Sequence, residues 1–213
     1  MKRALTALFL ATVLAAGLSS CQSTLGPAIE REEGRKNIRE IPYEDLSDEE
    51  SGFRYPGLPW GITLDEVQEK TYQAVTKVSG VDPNGNIVYE AQYLKAMVGG
   101  RVNDDAQIAT DDEEKLLSVM LVFSSQNAKK TLKQSEVFDL LKEKLSSLYG
   151  EPELKKHTDE IMSGLTAEIE DYTWKKAYKE NDESRLVLSK GFISYTSEPD
   201  YVSLTFTDED EHE

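Results

Sequence analysis

A nearly uninterrupted apolar run at residues 116–123, Leu-Leu-Ser-Val-Met-Leu-Val-Phe, constrains the fold more than any other part of the sequence. A strand that is apolar at both its odd and its even positions is typical of the interior of a sheet that is covered on both faces. We therefore expect this run to be a central strand with Leu121 buried inside the protein.

Two helix patterns each precede a group of strand patterns. The first helix is predicted over residues 63–78, beginning with the capping box Thr63-Leu-Asp-Glu66, and the second over residues 135–149. Glycine and proline after each pattern, at Gly80 and at Gly150 with Pro152, indicate where the helices end.

The strand patterns follow the helices in two groups, and grouped strands favour antiparallel pairing over a parallel βαβ arrangement. The sequence thus predicts an α+β fold of two helix-plus-three-strand units (αβββ-αβββ) with an antiparallel sheet and helices packed on one face. The two halves are expected at residues 53–128 and 129–208. The predicted strands are residues 93–98, 102–110, 116–124, 168–178, 184–191 and 200–207.

Charge and rare residues exclude several function classes. The 213 residues include 40 acids and 24 bases, a formal net charge of −16, with one cysteine and two histidines. Nucleic-acid binding needs clustered Lys and Arg, so we expect no nucleic-acid partner. A disulfide framework and a Cys/His zinc site are excluded by the residue counts. No cofactor is predicted, because the chain has no G-x-G-x-x-G, P-loop or H-E-x-x-H motif.

The N-terminal region has the pattern of an export signal. Lys2-Arg3 precedes an uncharged run over residues 4–18, which is shorter than the about 20 residues that a membrane-spanning helix needs. We interpret residues 1–20 as a signal peptide. Leu18-Ser19-Ser20-Cys21 resembles the lipobox of bacterial lipoprotein precursors. The resemblance implies cleavage before Cys21, lipidation of Cys21 and attachment to the membrane through that lipid; an ordinary signal peptide with an unrelated cysteine is the alternative.

The residue after the cysteine bears on the membrane that is reached. In the Gram-negative lipoproteins that the lipobox resembles, an Asp directly after the cysteine is the inner-membrane retention signal. This chain has Gln22 at that position. The resemblance therefore implies the outer membrane in a Gram-negative cell, and the outer face of the plasma membrane in a Gram-positive one. Loss of residues 1–20 leaves a charge of −18, so anionic headgroups repel the mature chain and only the lipid is expected to hold it there.

Composition divides the rest of the chain. Residues 21–52 are interpreted as the lipidated cysteine and an acidic flexible linker, because they contain few large apolar side chains. Residues 53–208 form the predicted α+β body, and residues 209–213 a loose acidic tail. The motifs Trp60-Gly-x-Thr-x-x-Glu-Val67 and Tyr149-Gly-x-Pro152 resemble small extracytoplasmic domains of uncharacterised bacterial lipoproteins. The repeated helix-plus-sheet order is similar to the β-lactamase inhibitor protein fold.

One segment offers candidate cation ligands. Asp82, Asn84 and Asn86 place oxygen donors at positions 1, 3 and 5 of a calcium loop. The glycine is at position 4 instead of 6 (Gly85), and position 12 is Tyr93 instead of an acid. A plain turn is therefore the preferred interpretation, with these three residues as the metal candidates. The acidic turns Asp104-Asp105 and Asp111–Glu114 could bind cations only weakly, as any acidic turn can.

No catalytic residue is predicted. His157 follows two lysines and is interpreted as a solvated loop residue, and no Gly-x-Ser-x-Gly motif is present. The sequence therefore predicts a non-catalytic, membrane-anchored extracytoplasmic lipoprotein that displays a protein-binding or structural domain in the cell envelope. The alternatives are a lipoprotein that binds a small ligand or a cation such as calcium, and a carboxylate-dependent hydrolase. A concave pocket would favour the former and two close acids in a cleft the latter.

Overall fold

The computed structural model describes residues 38–71, 75–81, 85–92, 94–124, 132–162, 165–178, 182–193 and 198–209. The first elements are β1 (Arg39–Glu40), a 3₁₀ turn (Tyr43–Asp45), β2 (Ser47–Asp48), β3 (Gly52–Phe53), α1 (Leu64–Thr71), β4 (Thr76–Val81), β5 (Ile87–Glu90), β6 (Ala96–Val98) and β7 (Arg101–Val102). They are followed by β8 (Asp105–Thr110), β9 (Leu116–Ser124), α2 (Gln134–Tyr149), β10 (Glu153–Met162), β11 (Leu165–Ala177), β12 (Glu183–Phe192) and β13 (Tyr201–Glu209).

Eight strands form one large antiparallel sheet in the order β10-β11-β12-β13-β9-β8-β5-β4. β9 and β13 lie side by side in its middle, where Leu121 is directly opposite Leu204 and both are fully buried. The prediction that residues 116–123 form a central strand is confirmed.

The predicted αβββ-αβββ repeat is wrong. The described residues form a mostly β fold with two helices, and a single sheet draws strands from both predicted halves. Residues 76–78, predicted as the end of the first helix, belong to β4 (Thr76–Val81), in keeping with the β-branched Thr76 and Val78, which fit an extended backbone better than a helix. Residues 153–162, which contain five charged side chains and were not predicted as a strand, form β10. The repeated order behind the resemblance to the β-lactamase inhibitor protein is therefore not the order of the described elements.

Both helices bury apolar side chains in one core on one face of the large sheet. The capping box at the start of α1 is confirmed: Thr63 N donates to Glu66 Oε2 over 2.9 Å, and Glu66 N donates to Thr63 Oγ1 over 3.3 Å. On α2 Val137, Phe138, Leu141 and Leu145 are buried, whereas Leu148 is 44% exposed. The core includes Leu64, Val67, Val137, Phe138, Leu141 and Leu145 from the helices, and Val119, Leu121, Tyr172, Trp174, Leu186, Leu188, Leu204 and Phe206 from the strands.

A charged group lies beside α2 on the same face. Lys190 Nζ is 4.5 Å from the centre of the Phe138 ring and 3.0 Å from Glu170 Oε2. Glu170 also accepts hydrogen bonds from Lys156 and from the hydroxyl of Tyr172. Partial burial would raise the pKa of Glu170, but the hydrogen bonds from the two lysines and the tyrosine outweigh it and lower the pKa to about 2.

The segment before Phe53 takes part in the fold. β1 pairs in parallel with β6, and the carboxylate of Glu40 accepts hydrogen bonds from the backbone N–H groups of Gly99 and Gly100. Ile41 and Leu46 are buried in the core. Residues 38–52, which were predicted as part of the linker, therefore pack on the body. Residues 1–37, with the predicted signal peptide and the first part of the linker, lie outside the described residues.

Candidate functional site

The predicted site residues fall partly outside the described ranges. Cys21, Asp82 and Asn84 are not among the described residues. Asn86 is half-buried and directly precedes β5, next to Gly85 with its positive φ of 90°. Within the described ranges, no group of three or more His, Cys, Asp or Glu side chains is arranged to hold a metal ion.

A different set of polar side chains meets on the second face of the large sheet, opposite the helix core. Side chains two residues apart on a strand share a face, and directly paired residues share it across strands. Lys155 on β10 pairs with Asp171 on β11, Asp171 pairs with Ser189 on β12, and Gly191 on β12 pairs with Tyr201 on β13. These pairs place side chains of four neighbouring strands on the same face. We name this group the histidine–carboxylate cluster; its members are His157, Asp159, Asp171, Ser189 and Tyr201.

The imidazole of His157 lies between the two carboxylates of the cluster. Nε2 is 3.2 Å from Asp159 Oδ2, and Nδ1 is 3.6 Å from Asp171 Oδ2. The other oxygen of Asp171 accepts a hydrogen bond of 2.6 Å from Ser189 Oγ. Tyr201 lies over Gly191, since a Cβ atom added to that glycine would be 1.9 Å from the tyrosine ring. The glycine therefore makes room for the aromatic ring beside the carboxylates.

Burial sets the protonation behaviour of the cluster. Burial raises the pKa of Asp171, although the Ser189 hydrogen bond and the nearby His157 act in the opposite direction. Burial also raises the pKa of Tyr201 above its ordinary value, and the charges of Asp171 and Asp159 raise it further. Tyr201 is thus a neutral hydrogen-bond donor. Its buried hydroxyl has no hydrogen-bond partner in the part of the chain that the structure describes.

The order of contacts in the cluster does not match nucleophilic catalysis. In a Ser-His-Asp triad the histidine accepts the serine proton, and the aspartate orients the histidine. Here Ser189 donates to Asp171, which stands between the hydroxyl and the imidazole of His157. Two-carboxylate hydrolysis needs open space for a substrate between the acids. The His157 ring occupies the space between Asp159 and Asp171.

The strand that carries His157 is also an edge of the large sheet. β10 pairs only with β11 among the described strands, and it does so without interruption from Glu153 to Glu160. Most of its side chains are exposed, including Lys156 and Thr158. The opposite edge, β4, has an irregular register between Lys77 and Val81. One edge is therefore a long regular strand, and the other is short and interrupted.

The interpretation of His157 as a loop residue is wrong. It lies in the middle of β10, and its side chain is 18% exposed. The alternation of Lys155, His157 and Asp159 with residues of the other face could have indicated a strand, but the many charges weakened that pattern. The acids that flank the histidine come from the same strand and from β11, so finding them required the pairing register.

No protein-family model matches the chain, and no curated protein or solved structure matches it either. Among the described helices, neither is long and apolar enough to cross a membrane.

Proposed function

We propose that this chain is a lipid-anchored, non-catalytic protein of the bacterial cell envelope whose body binds a protein partner along strand β10. Support for the anchor comes from the sequence Leu18-Ser19-Ser20-Cys21 and the signal-like residues before it. The lipid on Cys21 holds the protein at the outer membrane in a Gram-negative cell, or at the outer face of the plasma membrane in a Gram-positive one.

The observation that carries the binding role is the regular free edge of the large sheet. An edge strand presents N–H and C=O groups that an extended segment of another protein can pair with. β10 keeps an unbroken register over Glu153–Glu160, so it offers a straight row of such groups. The irregular β4 does not offer an equal surface. The hydrogen bond that Ser189 donates to Asp171, and not to His157, supports a role without catalysis.

The proposed function can be tested in the native envelope with the full chain. A photoreactive amino acid at Thr158 is expected to give a defined covalent adduct, because that residue is exposed in the middle of β10. The matched control places the same group at Lys77, which is exposed on β4. The Cys21→Ala variant is expected to leave the membrane fraction. Equal adduct yields at both edges would contradict binding along β10, and membrane retention of Cys21→Ala would contradict the lipid anchor.

A second candidate function is the binding of a small polar ligand at the histidine–carboxylate cluster. The observation in its favour is the buried hydroxyl of Tyr201, which lies near two carboxylates and has no described hydrogen-bond partner. A ligand that carries an acceptor for this hydroxyl and a donor for Asp159 would complete the group. Thermal shifts with small amino alcohols, which carry both an acceptor and a donor, compared between the wild type and Tyr201→Phe, test this role. Equal shifts in both proteins would exclude the cluster as the binding site.

A further inference from the structure

We propose that the partner of β10 is a second copy of this chain. The two β10 strands pair edge to edge about a two-fold axis that is perpendicular to the sheet and passes between the two Thr158 residues. The inference rests on the proposed binding role of β10 and adds the identity of the partner. In the resulting dimer the two large sheets become one continuous antiparallel sheet across the β10 strands.

Symmetry limits how two identical strands can pair. A two-fold axis perpendicular to a sheet reverses the strand direction and keeps each face on its own side, so the new pair is antiparallel. With Thr158 on the axis, residues equally far from it in opposite directions become direct partners. Lys156 then faces Glu160 of the second copy, and His157 faces Asp159 of the second copy.

The charges along β10 fit this pairing. The basic residues Lys155 and Lys156 come early in the strand, and the acidic residues Asp159 and Glu160 come late. Antiparallel pairing therefore sets the basic end of one copy against the acidic end of the other. Opposite charges directly across a strand pair stabilise it, whereas like charges destabilise it. An axis shifted by one residue to His157 would pair Lys155 with Asp159 but would set Lys156 opposite Thr158 and Leu154 opposite Glu160. The axis at Thr158 sets Lys155 opposite Ile161 and keeps Leu154 opposite the apolar Met162.

Other properties of the two edges favour the same conclusion. Bulges and short length protect edge strands from association, and so do charged residues unless opposite charges face one another across the new strand pair. β4 has such an irregularity, while β10 is regular over eight residue pairs from Glu153 to Glu160. Leu154 is 47% exposed on β10, and Leu148 is the one other large apolar side chain exposed in the described part of the chain. In the dimer the regular pairs run from Lys156 to Glu160, and Leu154 lies just outside them, opposite Met162 of the second copy.

Disulfide crosslinking measures the predicted register directly. All variants are made in the full chain with Cys21→Ser, so that the introduced cysteine is the one thiol of the protein. Residues directly opposite in an antiparallel pair have Cα atoms about 4.5 or 5.5 Å apart, depending on the hydrogen-bond pattern. Both distances lie within the range that a disulfide spans. Thr158→Cys is therefore expected to convert most of the protein into a covalent dimer on mild oxidation.

Two controls separate this contact from random collisions. Lys77→Cys lies on the other edge, and Lys156→Cys lies on β10 but about 13 Å from its own symmetry mate, four residues along the strand. Both are expected to remain monomeric on oxidation. A mixture of Lys156→Cys with Glu160→Cys should instead form the mixed dimer. If Thr158→Cys gives no more dimer than Lys77→Cys, or if Lys156→Cys alone dimerises equally well, the proposed pairing is refuted.

Charge reversal gives an independent measurement on proteins without an added cysteine. Lys156→Glu and Glu160→Lys should each weaken dimerisation about tenfold or more in sedimentation equilibrium, because each sets like charges opposite twice per dimer. The double variant should recover most of the affinity. Circular dichroism verifies that each variant is folded, since Lys156 also contacts Glu170 within its own chain. Failure of the double variant to recover refutes the second-copy proposal. A Thr158 adduct with a different protein would then leave the proposed function in place.

Discussion

Arg101 gives the sharpest prediction about stability. Its side chain is 2% exposed, and it connects Ser124 and Leu132, the residues on either side of the segment 125–131. Nη1 donates to the carbonyl oxygen of Leu132 over 2.7 Å, and Nη2 donates to the carbonyl oxygen of Ser124. Nη2 is also 3.3 Å from Asp104 Oδ2. We expect Arg101→Met to destabilise the protein strongly, because methionine fills a similar volume and makes none of these polar contacts.

The size of the effect follows from the groups left behind. An unpaired buried acceptor costs about 1–3 kcal/mol, and removing one partner of a buried ion pair costs about 3–5 kcal/mol. These costs overlap here, since Asp104 keeps a hydrogen bond of 2.6 Å from the backbone N–H of Ser124. We therefore expect a loss of about 3–5 kcal/mol in the free energy of unfolding. Arg101→Lys should lose less, about 1–3 kcal/mol, because an ammonium group keeps the charge but cannot match the planar guanidinium fork.

Urea unfolding at pH 7, followed by tryptophan fluorescence, measures these losses. Arg54→Met is the matched control: Arg54 also pairs with an aspartate, Asp48, but the two side chains are 24% and 37% exposed. Exposed ion pairs contribute about 0–1 kcal/mol, so the control should change little. If Arg101→Met lowers the free energy of unfolding by less than about 1 kcal/mol, as the control does, the reasoning that Arg101 holds Ser124 and Leu132 together is refuted.

Three further substitutions test the core, the charged group and the cluster. Leu121→Ala should cost about 2–5 kcal/mol in urea unfolding because the side chain is fully buried, whereas the exposed Leu154→Ala should cost under about 0.5 kcal/mol; equal losses would contradict the central position of β9. The lowered pKa of Glu170, about 2, means that its ionised form stabilises the fold above pH 4.5 and that this contribution is lost as the pH falls toward 2. At pH 6 the free energy of unfolding of the wild type should therefore exceed that of Glu170→Gln by about 1–2 kcal/mol, after allowance for solvent screening. An equal difference at pH 6 and at pH 2.5 would contradict this. Gly191→Ala should cost about 1–3 kcal/mol because its Cβ would overlap the ring of Tyr201, and an unchanged melting temperature would show that the ring moves freely.

Local patterns predicted the elements that are apolar on at least one face. The strands near residues 102–110, 116–124, 184–191 and 200–207 and the helix near 135–149 all have counterparts close to their predicted positions. Each has buried side chains at the spacing of its own secondary structure, so the signal lies within the segment itself. The same holds for the Thr63–Glu66 capping box.

The failures have a different physical cause. Val75 and Val78 fit a helical spacing after Leu64 and Val67, although residues 76–81 form β4. β10 was missed because it is an edge strand with mostly exposed, charged side chains, so it lacks the apolar alternation by which a strand is recognised. Backbone pairing with β11 holds it in the sheet. Both errors changed the topology, since two unpredicted strands end the large sheet.

The histidine–carboxylate cluster could not be predicted from one sequence. Its members come from β10, β11, β12 and β13, and they meet only because the pairing register places them on one face. Register depends on contacts between distant parts of the chain. The residues next to His157 in the sequence therefore could not reveal that Asp171, Ser189 and Tyr201 lie on the same face.

The place of β13 determines when the protein can fold as it is made. β4, β5, β8 and β9 lie on one side of it in the large sheet, and β10, β11 and β12 lie on the other. Each of these groups can pair internally, but the two groups share no border until residues 201–209 are available. A growing polypeptide therefore cannot complete this sheet before residues 201–209 leave the ribosome. If the chain is exported as proposed, this delay keeps it in a form that the export machinery can still thread.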